Sequence, residues 1–174
     1  MLEKFFKNKT ISKKLKLRLK NTPIDKTLTY ASVTWTLTKR DRKQLTIFER
    51  KVHKKILFPI HDNEKENWRI LTDKEMYASV EKPTITETIW LNRLCWFGHV
   101  QRMEENRIPK KLLYMNLEAT RLTGRPRNRW QDEVREDQRL VGGKGLKEGV
   151  YNRGEWKKLL RTARNCHILH MPMD

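Results

Sequence analysis

The chain holds 174 residues, of which 39 are Lys or Arg and 21 are Asp or Glu, for a formal charge of +18. That length suits one domain or two small subdomains, and with 37% apolar and 34% charged residues the chain is too apolar for a polar disordered tail. No window approaches the roughly 18 uncharged apolar residues of a membrane span. The start Met-Leu-Glu-Lys-Phe-Phe-Lys lacks the apolar run of a signal peptide, so an intracellular protein without a membrane partner is expected.

The pattern predicts a string of helices with little or no sheet. From Ile11 to about Asn21 basic and apolar residues alternate, and a helix gathers Ile11, Leu15 and Leu19 on one face. Pro23 marks the next break. Thr38 with Asp41 imitates a capping box, and Leu45, Phe48, Val52 and Ile56 then recur at helical spacing, predicting an amphipathic helix from Lys39 to Leu57. Its outward face carries Arg40, Lys43, Arg50, Lys51, Lys54 and Lys55, mostly without acids to pair them.

Thr72 with Glu75 opens a short helix bearing Met76, Tyr77 and Val80, which Pro83 stops. Thr84 with Glu87 opens a long one, from Ile85 to about Met103, whose apolar residues cover most of its circumference. Such a helix must be buried by neighbours. Pro109 suits the first turn of a short element through Leu112, Leu113 and Leu117. Trp130, Val134 and Val141 support a helix from about Asn128 to Leu140, and after Gly142, Gly143 and Gly145 the residues Tyr151, Trp156, Leu159, Leu160 and Ala163 support a last one. Residues 1–58 thus form basic helices, 59–106 a connecting segment with the central core helix, and 107–165 a second basic element with the C-terminal helices. A frayed tail is expected at 166–174.

Charge is gathered into blocks: net +13 over residues 1–58 (17 basic, 4 acidic), −3 over 59–106 (6 and 9) and +6 over 107–130 (7 and 1). Clustered cations raise a local positive field and speed encounter with phosphates. The candidate phosphate contacts are Lys13, Lys14, Lys16, Arg18 and Lys20 in the first helix, Lys39, Arg40 and Lys43 in the second, and Arg102, Arg107, Lys110, Lys111, Arg125, Arg127 and Arg129 further on. Gly124-Arg125-Pro126-Arg127 also has the extended form of a minor-groove hook, with Pro126 as a helix opener as the alternative.

Other constellations have plainer readings. Cys95 with His99 and Cys166 with His170 are two C-x3-H pairs that could supply four zinc ligands. The expectation is instead no cofactor, with a small buried Cys95, a core or hydrogen-bonding His99 and free thiols. Asp132, Glu133, Glu136 and Asp137 are expected to form a solvated face paired with Arg129 and Arg135. Trp90, Trp96, Trp130 and Trp156 stand at helical spacing and are expected in the core, not as base-stacking platforms.

Several segments together resemble a known family. Arg93-Leu94-Cys95-Trp96-Phe97-Gly98-His99-Val100-Gln101-Arg102-Met103, followed by Arg107-Ile108-Pro109-Lys110-Lys111, resembles the R-L-x-W-x-G-H-V-x-R-M…R-x-P-K signature of non-LTR (LINE-type) retrotransposon endonuclease–reverse transcriptases. Gly124 to Asp132 is similar to their G-R-P-x-x-R-W-x-D element. Tyr30 to Thr38 resembles Y-G-S-E-T-W-x-L-T, Phe48 to Val52 resembles F-E-R-K-V, and Asn152 to Trp156 resembles D-R-x-x-W. Ala31 and Val33 stand where the family usually has Gly and Glu, Phe58-Pro59 lacks the Gly of F-G-P, and Asn21-Thr22-Pro23 breaks a stretch normally bearing Tyr.

The resemblance implies the thumb and post-thumb region of a reverse transcriptase, a helical bundle that holds RNA or DNA largely without regard to sequence. A nuclear or nucleocytoplasmic location and a separate polymerase domain in an intact parent go with it. No Asp-Asp pair occurs, so the Y/F-A-D-D polymerase motif is missing. Two-metal nucleotidyl transfer needs such carboxylates, and the chain is expected to be non-catalytic by itself. The alternatives are a decayed transposon-derived open reading frame without cellular function, a domesticated DNA-binding module, and an amphipathic membrane-surface protein using Ile11 to Lys20.

Overall fold

The computed structural model describes residues 2–8, 10–57, 59–62, 67–80, 82–115, 129–141 and 149–169. The fold is mainly α: α1 Leu2–Lys7, α2 Lys13–Leu19, α3 Asp25–Leu28, α4 Lys39–Ile56, α5 Asp73–Val80, α6 Ile85–Gln101, α7 Ile108–Tyr114, α8 Trp130–Leu140 and α9 Arg153–Leu169. One antiparallel pair, β1 Ile60–Asp62 and β2 Asn67–Arg69, lies between α4 and α5 and sets His61 opposite Trp68. This exposed hairpin is an addition to the expected string of helices.

The three capping boxes form as their spacing requires. Thr38 Oγ1 accepts from the Asp41 amide at 3.2 Å while the Asp41 carboxylate accepts from the Thr38 amide at 3.0 Å, and Thr84 with Glu87 repeats the exchange at the buried start of α6. At α5, Glu75 takes the Thr72 amide at 2.9 Å and both Arg69 nitrogens at 2.8 and 2.7 Å. The Arg69 bonds, then those from Thr72, hold the exposed Glu75 carboxyl down to about 2.

Pro23 does not end the first helix. A π-helical turn, Lys20–Ile24, carries the chain through it into α3. The wider turn absorbs the ring and the missing N–H, and the Asp25 amide reaches back to the Lys20 carbonyl. The buried face of α2 is also not the expected one: Leu15 is 51% exposed, whereas Lys16 and Lys20 are buried. At the far end, α9 continues to Leu169, so 166–169 is helical where fraying was expected; residues 170–174 lie outside the described part.

Core packing radiates from α6. Its Trp90 and Leu94 join Val134 of α8 with Trp156 and Ala163 of α9, and its Ile85 and Ile89 join Leu37. A third cluster of Leu57, Met76 and Val80 fastens α5 below α4. Gly98 lets α9 approach closely. A Cβ built there would collide with the Trp156 indole, with Cδ1 at 2.7 Å and Cε2 at 2.9 Å, and Trp156 is itself buried.

Polar contacts fix the rotation of α6. Arg93 is 1% exposed. Its Nε donates to Asp137 Oδ2 at 2.5 Å, its Nη2 to Asp137 Oδ1 at 3.1 Å, and its Nη1 to the Trp35 carbonyl at 2.7 Å. Glu133 Oε2 lies 3.1 Å from the same guanidinium and 2.6 Å from Arg42 of α4. Glu133 and Asp137 are therefore buried partners, which corrects the solvated acidic face expected of them. Asp132 pairs with Arg135 as expected, and Glu136, also on the more exposed side, pairs with Arg139 instead of the partners expected. Burial is the largest influence on Asp137 and raises its pKa; the Arg93 hydrogen bonds and charge oppose that rise.

Arg93→Ala leaves Asp137 and Glu133 buried without their main counter-charge and should destabilise the chain by about 3–5 kcal/mol; Arg93→Lys should restore little of it, because one ammonium cannot reproduce the planar fork. Chemical denaturation compares the three proteins. Ala31 has φ 55° in the left-handed region that side-chain-bearing residues avoid. Ala31→Gly should therefore raise stability by up to about 1 kcal/mol, less the entropy that glycine loses on folding, and an unchanged or lower midpoint in the same assay would count against strain at this turn.

Candidate nucleic-acid interface

The expected phosphate contacts fall into four groups. Lys13, Lys14 and Arg18 of α2, Lys39, Arg40 and Lys43 of α4, and Arg107 and Lys111 beside α7 are exposed. Arg125 and Arg127 lie outside the described residues, as does the proposed hook. Arg129 is half-buried at the edge of a second groove described below, and the rest are engaged within the fold.

Lys16, Lys20 and Lys110 are corrections. Lys20 Nζ, 2% exposed, bridges Glu49 at 2.9 Å and Asp25 at 3.0 Å, and Glu49 also accepts from the Ile85 amide at 3.2 Å. The Glu49 carboxylate thereby ties the start of α6 to α4, and the ammonium joins both to the turn that follows α2. Lys16 is wholly buried on the same side of α2. Lys110 Nζ donates to the carbonyls of Gln101 and Met103 at 3.1 and 2.9 Å, where its charge complements the C-terminal end of α6, and pairs with Glu105. Arg102 is half-buried and donates to the Val150 carbonyl at 2.7 Å. On α4, Arg50 and Lys54 both reach Asp73, so that face is less free than its sequence suggests.

A different cationic surface is built by tertiary structure. An open groove of about 680 Å³ runs between α6 and α9. Arg153, Lys157, Arg161 and Arg164 line it from α9, with Lys26 and Arg102 from other elements, and no acidic residue lines it among the described residues. Thr88, Asn92 and His99 add polar groups from α6. Spacings of four, four and three put the α9 cations on one face, a stripe already present in the sequence. It was missed because residues 150–174 carry only a small net excess, in which two acidic residues dilute five basic ones.

The stripe is electrostatically unfavourable in the isolated chain. Arg153 with Lys157 and Lys157 with Arg161 are like-charge i,i+4 pairs, each destabilising a helix by about 0.2–0.5 kcal/mol. A bound anion removes that penalty.

A second groove, of about 520 Å³, lies on the other side of α6 and is largely apolar, with Trp96, Val100, Leu112, Leu113 and Trp130 among its walls. Trp130 is anchored there by its indole N–H, which donates to the Val33 carbonyl at 2.6 Å. Trp90 and Trp156 are in the core as expected, but Trp96 is 37% exposed. Cys95 and His99 are likewise exposed, correcting the buried position expected of Cys95 and, for His99, the core half of the core-or-hydrogen-bonding expectation. The side chain of Cys166 and the whole of His170 lie outside the described residues, and no group of three or more potential metal ligands occurs among the described ones. No described helix is long and apolar enough to cross a membrane.

The buried basic cluster gives the chain a pH signature. His53, 1% exposed, has both ring nitrogens without a hydrogen-bond partner and meets Tyr77 edge-on, with ring centroids 5.7 Å apart. Burial first, and the nearby Lys20 charge second, push its pKa down to about 3.

No family model, curated protein or solved structure matches the chain.

Between an unfolded value of about 6.5 and the folded value, acid protonates only the unfolded chain, so His53 removes stability as pH falls, by about 2 kcal/mol at about pH 5. Glu49, Asp25 and Asp137, raised by burial, act in the opposite sense. The measurement is therefore a difference: the melting temperature of His53→Leu minus that of the natural chain should become more positive on going from neutral pH to pH near 5, and a constant difference would refute a neutral buried imidazole.

Proposed function

We propose that this chain is a non-catalytic helical module that grips the phosphate backbone of nucleic acid, of the kind found in the thumb and post-thumb region of non-LTR reverse transcriptases. The observation that carries the proposal is the groove between α6 and α9, with six cationic side chains along it and no acidic residue in its lining among the described residues. Phosphates of one strand would lie along Arg153, Lys157, Arg161 and Arg164, and the exposed cations of α2 and α4 would extend the positive field. Its action is positioning: no carboxylate lines this groove among the described residues, and nucleotidyl transfer, which needs carboxylates to hold its metal ions, would belong to a separate domain. Binding of this sort is sequence-tolerant, because phosphate contacts set register without reading bases. RNA and DNA both qualify, and an intracellular, nuclear or nucleocytoplasmic setting follows from the same partner.

A second reading, a decayed copy of such an element without a cellular role, draws on Ala31. The residue holds a left-handed conformation at a position where the resembling sequences usually have Gly. A strained turn of this sort is what unselected substitution leaves behind.

Fluorescence anisotropy with labelled oligonucleotides at several salt concentrations tests the first reading. Four phosphate contacts predict that log K falls against log salt with a slope of about −3 to −4. The double substitution Lys157→Glu with Arg161→Glu should cost at least tenfold in affinity at low salt and flatten the slope by about 2. A folded chain that binds no oligonucleotide at low ionic strength, or a double variant that binds like the parent, overturns the proposal.

A further inference from the structure

The two grooves share a wall, and that wall is aromatic. On the solvent side of α6, Trp96 and His99 lie against each other with ring centroids 5.5 Å apart and planes tilted by 50°. His99 lines the cationic groove and Trp96 lines the apolar one. Next to Trp96 the apolar groove exposes Leu112 by 58% and Met115 by 53%, and it includes Arg129 and Gln131 as polar groups. A cationic channel therefore runs beside an apolar trough, with a pair of rings on the ridge between them.

This juxtaposition selects among polyanions. A duplex presents phosphates and keeps the faces of its bases stacked inside, so it could use the cationic groove but would leave Trp96, Leu112 and Met115 in water. An unpaired strand carries phosphates on one side and free π-faces on the other, matching the channel in charge and the trough in polarity. Stacking of a base on an aromatic ring contributes about 1–3 kcal/mol and tolerates any base. Trp96 is free to offer its ring because nothing in the core needs it: Trp90 and Leu94 on the same helix are buried in the central cluster, and Trp96 is not among those core residues.

We infer that the chain binds an unpaired nucleic-acid strand, with its phosphates on the α9 cation row and its bases stacked over Trp96 and His99 and turned into the groove lined by Leu112 and Trp130. The inference rests on the backbone-binding function proposed above and adds the form of the ligand. DNA and RNA strands share the chemistry it uses.

The experiment measures affinity of the full chain at one salt concentration for labelled oligo(dT), oligo(U), an abasic phosphodiester of equal length and a blunt duplex, each about 20 nucleotides so as to exceed a typical single-strand site. Oligo(dT) and oligo(U) should bind at least tenfold tighter than the abasic strand and the duplex, and the tighter of the two identifies the source of the strand. Trp96→Ala should weaken both base-bearing strands by roughly 5- to 100-fold while leaving the abasic strand and duplex within twofold, and Trp96→Phe should keep most of the affinity. Because Trp96 is still mostly buried at 37% exposure, Trp96→Ala is compared at a temperature where its melt shows it folded, and Leu112→Ser, at a more exposed position of the trough, provides a second, independent probe. Equal binding of abasic and base-bearing strands, or equal losses for all four ligands in Trp96→Ala, overturns the inference while leaving the backbone-binding function intact. Failure of every ligand to bind instead removes the function beneath it.

Discussion

The Arg93 guanidinium, enclosed by Asp137, Glu133 and the Trp35 carbonyl, is the interaction on which the rest of the structure depends. Taking an arginine and two carboxylates out of water is expensive, and a buried ion pair is weak evidence of net stability. What such a cluster provides is a unique answer to how three elements are rotated. A helix apolar on most of its circumference could settle against its neighbours in several rotations at similar cost. One arginine with directional donors permits a single rotation, in which α8 meets one side of α6 and the turn at Ser32–Thr34 meets another. Arg42 continues the cluster out to α4 through Glu133.

The two grooves follow from that rotation. With Arg93 turned inward, Gly98 faces Trp156 and admits α9 at close range, which sets the cation row opposite Thr88, Asn92 and His99. Trp96 is left outward on the ridge. The packing that seats α9 also creates the groove beside it, so the surface proposed to bind phosphate is rigidly tied to the core. Lys110 and Arg102 support it from behind by bonding to main-chain carbonyls at the C-terminal end of α6 and ahead of α9. Lys110, which could be taken for a ligand contact, instead holds the frame, and Arg102 does so at the edge of the groove it lines.

The segments that resemble the retrotransposon family touch one another in space. Arg93 donates to the carbonyl of Trp35, Trp130 to that of Val33, and Gly98 receives Trp156. Widely separated motifs are thus pieces of one packing arrangement around α6.

Local interactions were legible in the chain itself. Capping boxes at Thr38, Thr72 and Thr84 and the long apolar run from Ile85 depend only on residues within a few positions, so helix starts and the central place of α6 could be read from spacing and composition. The fate of individual charges could not. Lys16 and Lys20 look like Lys13 and Lys14 in sequence, and Glu133 and Asp137 look like Asp132 and Glu136; which member of each set is buried depends on partners 29 to 91 residues away. Trp96 is indistinguishable from Trp90 by spacing on a helix so broadly apolar, and only the seating of α8 and α9 decided which ring went inside. Sequence determined the helices and the excess of positive charge because those are local and additive properties. Tertiary structure decided which cations serve as internal ties and which line a surface, because burial is set by contacts the linear order does not contain.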